Sequence, residues 1–297
     1  MKQLAKYYAS TANRVLRAVQ TTWDTLYPSD RNSPEFLQRT SHAETERRAE
    51  TDWPTDHDGV TMNNSPLIAP QLITGARMLY LSWVPEDPAA VALLVPKGLT
   101  PDARSVVYMN QYIVDRAEQT SNAGLPGTFG AYSLTYLGVD LQNLDAQPGT
   151  PGRWWTHYFN SSADMLAYAA DRGVPASSGE TTLRLNGDQL VATSSVGGKP
   201  IIRTTCTVKF GKGAHANGQL RYITRVGGAL TSGRYPFVMK AAEEFRVDKL
   251  EFLDASNPVS ALRPKTPLEV TFGFYSPDIT FCYPGGEGPL DIAPHGV

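Results

Sequence analysis

Cysteine is nearly absent from the 297 residues: Cys206 and Cys282 stand far apart and in no CxxC spacing. That excludes a disulfide scaffold and a thiolate zinc site, and both residues are expected as buried free thiols. A charge excess of either sign is also missing. Lysine and arginine total 27 against 29 acidic residues, a formal charge of −2, so no basic field exists to hold a phosphate backbone and nucleic acid is not expected as a partner. No run of about 18 apolar residues occurs, which argues against a membrane partner. The start, from Met1 to Tyr8, lacks the apolar stretch of a secretory signal, so the expected location is the cytoplasm. Signature motifs are missing as well: there is no P-loop, no GxGxxG after a strand, no HExxH and no GxSxG. His57 is flanked by Asp56 and Asp58 but sits in a polar stretch that reads as a solvated loop, so no metal and no cofactor is expected.

What is present suits a folded domain, with 41% hydrophobic and 19% charged residues. Over residues 2–27 the apolar Leu4, Tyr8, Val15, Val19, Trp23 and Leu26 recur at three- and four-residue steps, which predicts an amphipathic helix. Its other face carries Lys2, Lys6, Arg14 and Arg17. A membrane-surface role and packing on protein are both open to such a helix, and packing or assembly is the commoner outcome. Residues 28–65 are polar and turn-rich and read as an extended arm. This gives an N-terminal helix and arm over 1–66, a compact domain over 67–285 and a tail over 286–297.

The domain is expected to be α+β and mainly β. Strands are suggested at 77–83, 105–114, 130–139, 153–159, 201–210, 219–226, 244–252 and 268–280, each rich in β-branched and aromatic residues. Asp87 followed by Pro88 should open a short helix that runs to Val95, and Ser162 should cap another over 163–170. Asn186–Gly187 marks a hairpin between 183–185 and 189–191, and Gly197–Gly198 a second tight turn. Roughly ten strands in one sheet tend to curl into a barrel, whose interior makes a ligand cavity. His157 lies two residues from Trp155 and should share its face, as a pocket base or as a hydrogen-bonded core residue.

The segment Arg77 to Val91, followed by Leu94, Val95, Pro96 and Leu99, resembles the opening of the acetoacetate decarboxylase family: an arginine-led strand, an acidic turn, a short helix and a VPxxL-like exit. Gly130–Ala131–Tyr132 resembles the family's Gly-x-Tyr strand. Tyr158–Phe159–Asn160 and the helix after it look like the elements before the family's lysine loop, and Leu190 to Thr193 resembles the strand that follows. The likeness spans roughly 67–284 and implies a curled antiparallel sheet or barrel enclosing a ligand cavity, and a homo-oligomer. The family forms a Schiff base between a lysine and a keto acid. Here Ala176 and Ser177 stand where the loop's two lysines would be, and Leu134 stands where a catalytic glutamate would be. A second family glutamate falls near Met109 or Asn110.

The resemblance therefore implies the fold without the amine. On the matching positions it implies catalytic roles for Arg77, Tyr132 and Glu180, and substrate contacts from Asn110, Tyr112, Trp155, Tyr158 and Ser177. Arg77 suits a carboxylate through its planar fork, or equally a structural ion pair. Glu180 could shuttle a proton if desolvated, and the aromatic residues could equally be barrel core. The expected activity is a lyase, cyclase or dehydratase acting on a keto- or enol-bearing small molecule of specialised metabolism. Two alternatives stand beside it: a non-catalytic small-molecule binding protein, and a decarboxylase using a relocated lysine such as Lys199 or Lys240, or acid catalysis.

Overall fold

The computed structural model describes residues 67, 69–122, 127–283 and 288–290, all within one compact unit, Thr61–Val297. The expected N-terminal helix, the arm and His57 lie outside the described residues. Strand β1, Gln71–Trp83, leads through helix α1, Pro88–Ala92, to β2, Val107–Val114; a two-residue β3, Thr120–Ser121, precedes β4, Tyr132–Leu141, and β5, Gly152–Asn160. After helix α2, Ala163–Ala170, come β6, Ala176–Ser178, β7, Glu180–Asn186, β8, Gln189–Val196, and β9, Lys199–Lys209. The chain ends with β10, His215–Val226, β11, Ala229–Lys240, β12, Glu244–Phe252, β13, Val270–Tyr283, and β14, Gly288–Pro289.

Both helices start where their caps predict. The Asp87 carboxylate accepts from the Ala90 backbone N–H at 3.0 Å, and the Ser162 hydroxyl from that of Met165 at 3.3 Å. Helix α1 stops at Ala92, three residues short of the expected end. The 186–189 hairpin differs in its turn. Asn186 pairs with Gln189, so Gly187 and Asp188 form the two-residue loop, with Gly187 at φ 62°, and the glycine at the first central position makes it a II′-like turn. Gly197 and Gly198 both have positive φ, as a type I′ turn demands.

Seven strands close a mixed barrel in the order β10-β11-β13-β1-β2-β4-β5. The antiparallel curled sheet expected from sequence is closed by a parallel seam, in which Arg221, Tyr222 and Ile223 of β10 pair with Gly152, Arg153 and Trp154 of β5. A second sheet, β12-β9-β8-β7, lies against part of the barrel wall. Alternation along the wall strands divides the core accordingly. Met78, Tyr80, Tyr108, Tyr112, Tyr136 and Tyr222 belong to the barrel interior, whereas Leu79, Leu81, Val107, Met109 and Leu137 pack with Leu190, Ala192 and Ile202 of the second sheet. Between the two layers Gln111 donates to Ser194 at 2.8 Å and accepts from Thr204 at 3.0 Å, so its buried amide is satisfied and the sheets are held in register.

Two details depart from the sequence expectation. Strand β11 was not expected, because Gly233 and Pro236 interrupt its pattern. Its far edge meets β14 at Thr231 and Ser232 and β13 from Phe237 onward, so the proline, which lacks an N–H, falls in the gap between these pairings. In β5 a bulge breaks the alternation: Leu137 pairs with His157 but Gly138 with Trp155, leaving Thr156 as the extra residue. Trp155 and Tyr158 therefore both join the interior cluster, and His157 is turned to the other face, where it stacks on Phe159 with centroids 6.0 Å apart.

Candidate active site

The barrel interior is a tyrosine cage. Tyr112 and Tyr132 hydroxyls meet at 2.9 Å, Tyr112 and Tyr283 at 2.6 Å, and Tyr136 and Tyr222 at 2.8 Å. Trp155 stacks on Tyr222 with centroids 4.3 Å apart and planes at 7°, and Tyr158 stacks on Tyr136 at 6.1 Å. Burial raises the pKa of Tyr80, Tyr108, Tyr112, Tyr132, Tyr136, Tyr158, Tyr222 and Tyr283. At neutral pH these phenols are uncharged donors and not bases.

Within this cage sit Arg153 and Asp140, the buried charged side chains among the described residues. They are cross-strand partners on β5 and β4, and Arg153 is also the seam partner of Tyr222. Arg153 Nε lies 3.4 Å from Asp140 Oδ1, and its Nη2 donates to the Tyr80 hydroxyl at 2.5 Å. The guanidinium lies over the rings of Tyr80, at 4.8 Å, and Tyr108, at 5.0 Å. Burial opposes the guanidinium charge, but the surrounding phenol oxygens and Asp140 outweigh it and hold Arg153 above its ordinary range. Burial likewise pushes Asp140 up to about 6, against the pull of Arg153. A buried ion pair is costly unless its remaining donors are used, yet Arg153 Nη1 has no hydrogen-bond partner among the described residues. The same holds for Asn110 Oδ1 and Trp155 Nε1.

Of the residues expected from sequence, the fold gathers Asn110, Tyr112, Tyr132, Trp155 and Tyr158 in this interior. Asn110 rather than Met109 faces inward, and Leu134 is fully buried among the rings. The other three stand elsewhere. Arg77 holds Asp115 with both of its fork nitrogens, at 2.8 and 2.6 Å, and donates to the Leu183 carbonyl at 3.1 Å. It ties β1 to β7 as a half-exposed ion pair, and the hydrogen bond it donates to Asp115 raises its pKa. Ser177 and Glu180 are exposed, so the desolvation that a proton-shuttling Glu180 requires is absent. The Ser177 hydroxyl donates to the Tyr158 carbonyl at 3.4 Å, within the short parallel pairing of β6 with β5. Sequence reasoning missed Arg153. Its place two residues before Trp155, on a strand facing the interior, was the available signal.

No described lysine is buried. Lys97, Lys199, Lys209, Lys212, Lys240 and Lys249 are exposed, and the half-buried Lys265 is paired with Glu269. Lys199, one of the two candidate replacements, holds Asp254 at 2.8 Å on the surface. Cys206 is buried in the second core, with its thiol pushed up to about 12 by burial, and Cys282 is half-buried; both are free. Among the described residues no helix is long and apolar enough to cross a membrane.

No family model and no curated protein matches the chain by sequence. Solved structures do match. Acetoacetate decarboxylase from Legionella pneumophila superposes with a TM-score of 0.57 at 14% identity, over 80% of this chain and 93% of that one. A second acetoacetate decarboxylase gives 0.56 at 16%, over 75% and 90%. The enduracididine biosynthesis enzyme MppR, complexed with the condensation product of pyruvate and imidazole 4-carboxaldehyde, gives 0.54 at 13%, over 79% and 92%. At these identities the agreement is one of architecture: the chain has the acetoacetate decarboxylase-like fold.

Proposed function

We propose that the protein is a cofactor-independent lyase, cyclase or dehydratase that acts on a keto- or enol-bearing small molecule of specialised metabolism without a Schiff base. The observation that carries the reading is a buried guanidinium with an unused Nη1, set among neutral phenols in a barrel whose described lysines all lie outside the interior. Such donors stabilise the oxygen of an enolate as charge develops on it, and a dry interior strengthens each contact. Asp140, at about 6, is ionised at neutral pH yet more basic than an ordinary carboxylate, which suits it to take the proton from carbon. Asn110, Tyr112, Tyr132, Trp155 and Tyr158 provide the contacts that hold the molecule. We place anion recognition on Arg153, because Arg77 is occupied by Asp115. MppR, whose structures hold pyruvate and its condensation product, supports a small-molecule substrate for this fold. The same reading has the chain working in the cytoplasm as a homo-oligomer assembled through the helix expected over residues 2–27.

The test is deuterium exchange at the carbon beside the carbonyl, followed by NMR on a panel of 2-oxo and 3-oxo acids. The wild type is expected to accelerate exchange on a member of the panel. Arg153→Gln should lower that rate about 100-fold, the loss typical for one donor to a developing oxyanion. Arg153→Lys should recover part of it, which separates loss of charge from loss of folding. A second reading, a non-catalytic binding protein, is favoured by the protonated state of every buried phenol. Saturable binding with no exchange on any panel member would establish it in place of the first.

A further inference from the structure

Three of the buried atoms without a hydrogen-bond partner among the described residues, on Asn110, Trp155 and Arg153, share one neighbourhood. Asn110 donates through Nδ2 to the Tyr136 hydroxyl at 2.7 Å, which leaves Oδ1 free to accept. Tyr136 is bonded at 2.8 Å to Tyr222, whose ring carries the stacked Trp155 indole at 4.3 Å. The Arg153 guanidinium lies 5.9 Å from the same Tyr222 ring. The three side chains are only 0%, 5% and 4% exposed for Asn110, Trp155 and Arg153, so each unused group carries the full cost of its desolvation until something meets it. Their chemistry is specific: Arg153 Nη1 and Trp155 Nε1 are donors, and Asn110 Oδ1 is an acceptor.

The matching ligand offers two acceptors and one donor. A carboxylate can give one oxygen to Arg153 and the other to Trp155, and it meets the Nη1 donor that the contacts with Asp140 and Tyr80 leave unused. The remaining donor must be a hydroxyl or an N–H, and the surrounding flat rings favour a planar body that can lie against them. We propose that the interior site is built for a planar hydroxy-carboxylate, an acid whose enol or phenol O–H is donated to Asn110 while its carboxylate spans Arg153 and Trp155. This inference rests on the functional reading above and narrows its substrate class. It makes Asn110 the residue that discriminates between acids with and without the hydroxyl, because an acid lacking the O–H leaves Oδ1 buried and unpaired.

Binding of benzoate, the three monohydroxybenzoate isomers and their methyl esters to the full chain tests it, by calorimetry and by quenching of tryptophan fluorescence. At least one hydroxybenzoate should bind the wild type about tenfold or more tightly than benzoate, the increment expected for satisfying one buried acceptor. The corresponding methyl ester should lose at least as much. Asn110→Leu should bring the hydroxybenzoate to benzoate ratio near one, and Trp155→Phe should weaken all the acids alike. Equal affinity of the wild type for benzoate and all three isomers would overturn the inference, and so would no binding of any acid; both are read on the wild type and need no variant to fold. The deuterium-exchange test is independent. Exchange without a hydroxyl preference would leave the functional reading standing and remove this one, whereas a hydroxyl preference without exchange would keep the site and remove the catalysis.

Discussion

His157 shows how one inserted residue changes what a side chain can do. A strand without interruption would have placed it beside Trp155 in the interior, but the bulge at Thr156 turns it to Phe159 on the other face. There burial pushes its pKa down to about 4, from an ordinary 6.5, and its Nδ1 lies 3.1 Å from the Thr156 hydroxyl. The unfolded chain binds the proton more readily than the folded one between these values, so the contribution of a neutral His157 is present above pH 6.5 and is lost as pH falls through 4. The full difference corresponds to about 3 kcal/mol. Urea unfolding of His157→Gln between pH 7 and 4 should show a flatter loss of stability than the wild type by an amount of that order. An unchanged slope would mean that the ring is solvated in the folded chain. Arg153 makes the converse point: its spacing from Trp155 gives its face, but its partners Tyr80, Asp140 and Tyr222 come from three other strands, and no spacing along the chain announces them.

At the scale of elements, the bulge works only because Gly138 faces it. A Cβ at this position would lie 1.9 Å from the Trp154 carbonyl oxygen and 2.5 Å from the Tyr108 hydroxyl. Gly138→Ala must therefore move backbone, and we expect a loss of about 3 kcal/mol, at the upper end for overpacking. Chemical denaturation measures it; a change below about 1 kcal/mol would show that the bulge can relax. Much of the element order was legible beforehand, and for local reasons. Asp87, Ser162 and the Gly197–Gly198 pair act on residues within four positions, so the starts of α1 and α2 and that turn could be read directly. Strand β11 could not, since Pro236 is tolerated only through the gap between β13 and β14, a matter of long-range pairing. Of the proposed site residues, those on regularly alternating strands, such as Asn110 and Tyr112, came together in the interior. Arg77 did not, because alternation along β1 puts Ala76, Met78 and Tyr80 inside and Arg77 on the opposite face with Leu79 and Leu81, where it holds Asp115.

At the scale of the whole molecule, the barrel closes through three parallel residue pairs, and the middle pair is Arg153 with Tyr222. The seam that completes the fold and the buried cation of its interior are thus the same place. The architecture is that of the acetoacetate decarboxylases, while the segment that the sequence resemblance matches to their lysine loop is here the short strand β6, with Ala176 partly buried against the interior and Ser177 exposed. The proposed chemistry proceeds in this barrel without an iminium. The most direct test is mass spectrometry of the intact protein incubated with acetoacetate and longer 3-oxo acids under borohydride, with carbon dioxide release followed in parallel. No lysine adduct and no carbon dioxide are expected across the panel. A trapped adduct accompanied by carbon dioxide would contradict this and would place a Schiff-base lysine in the working enzyme.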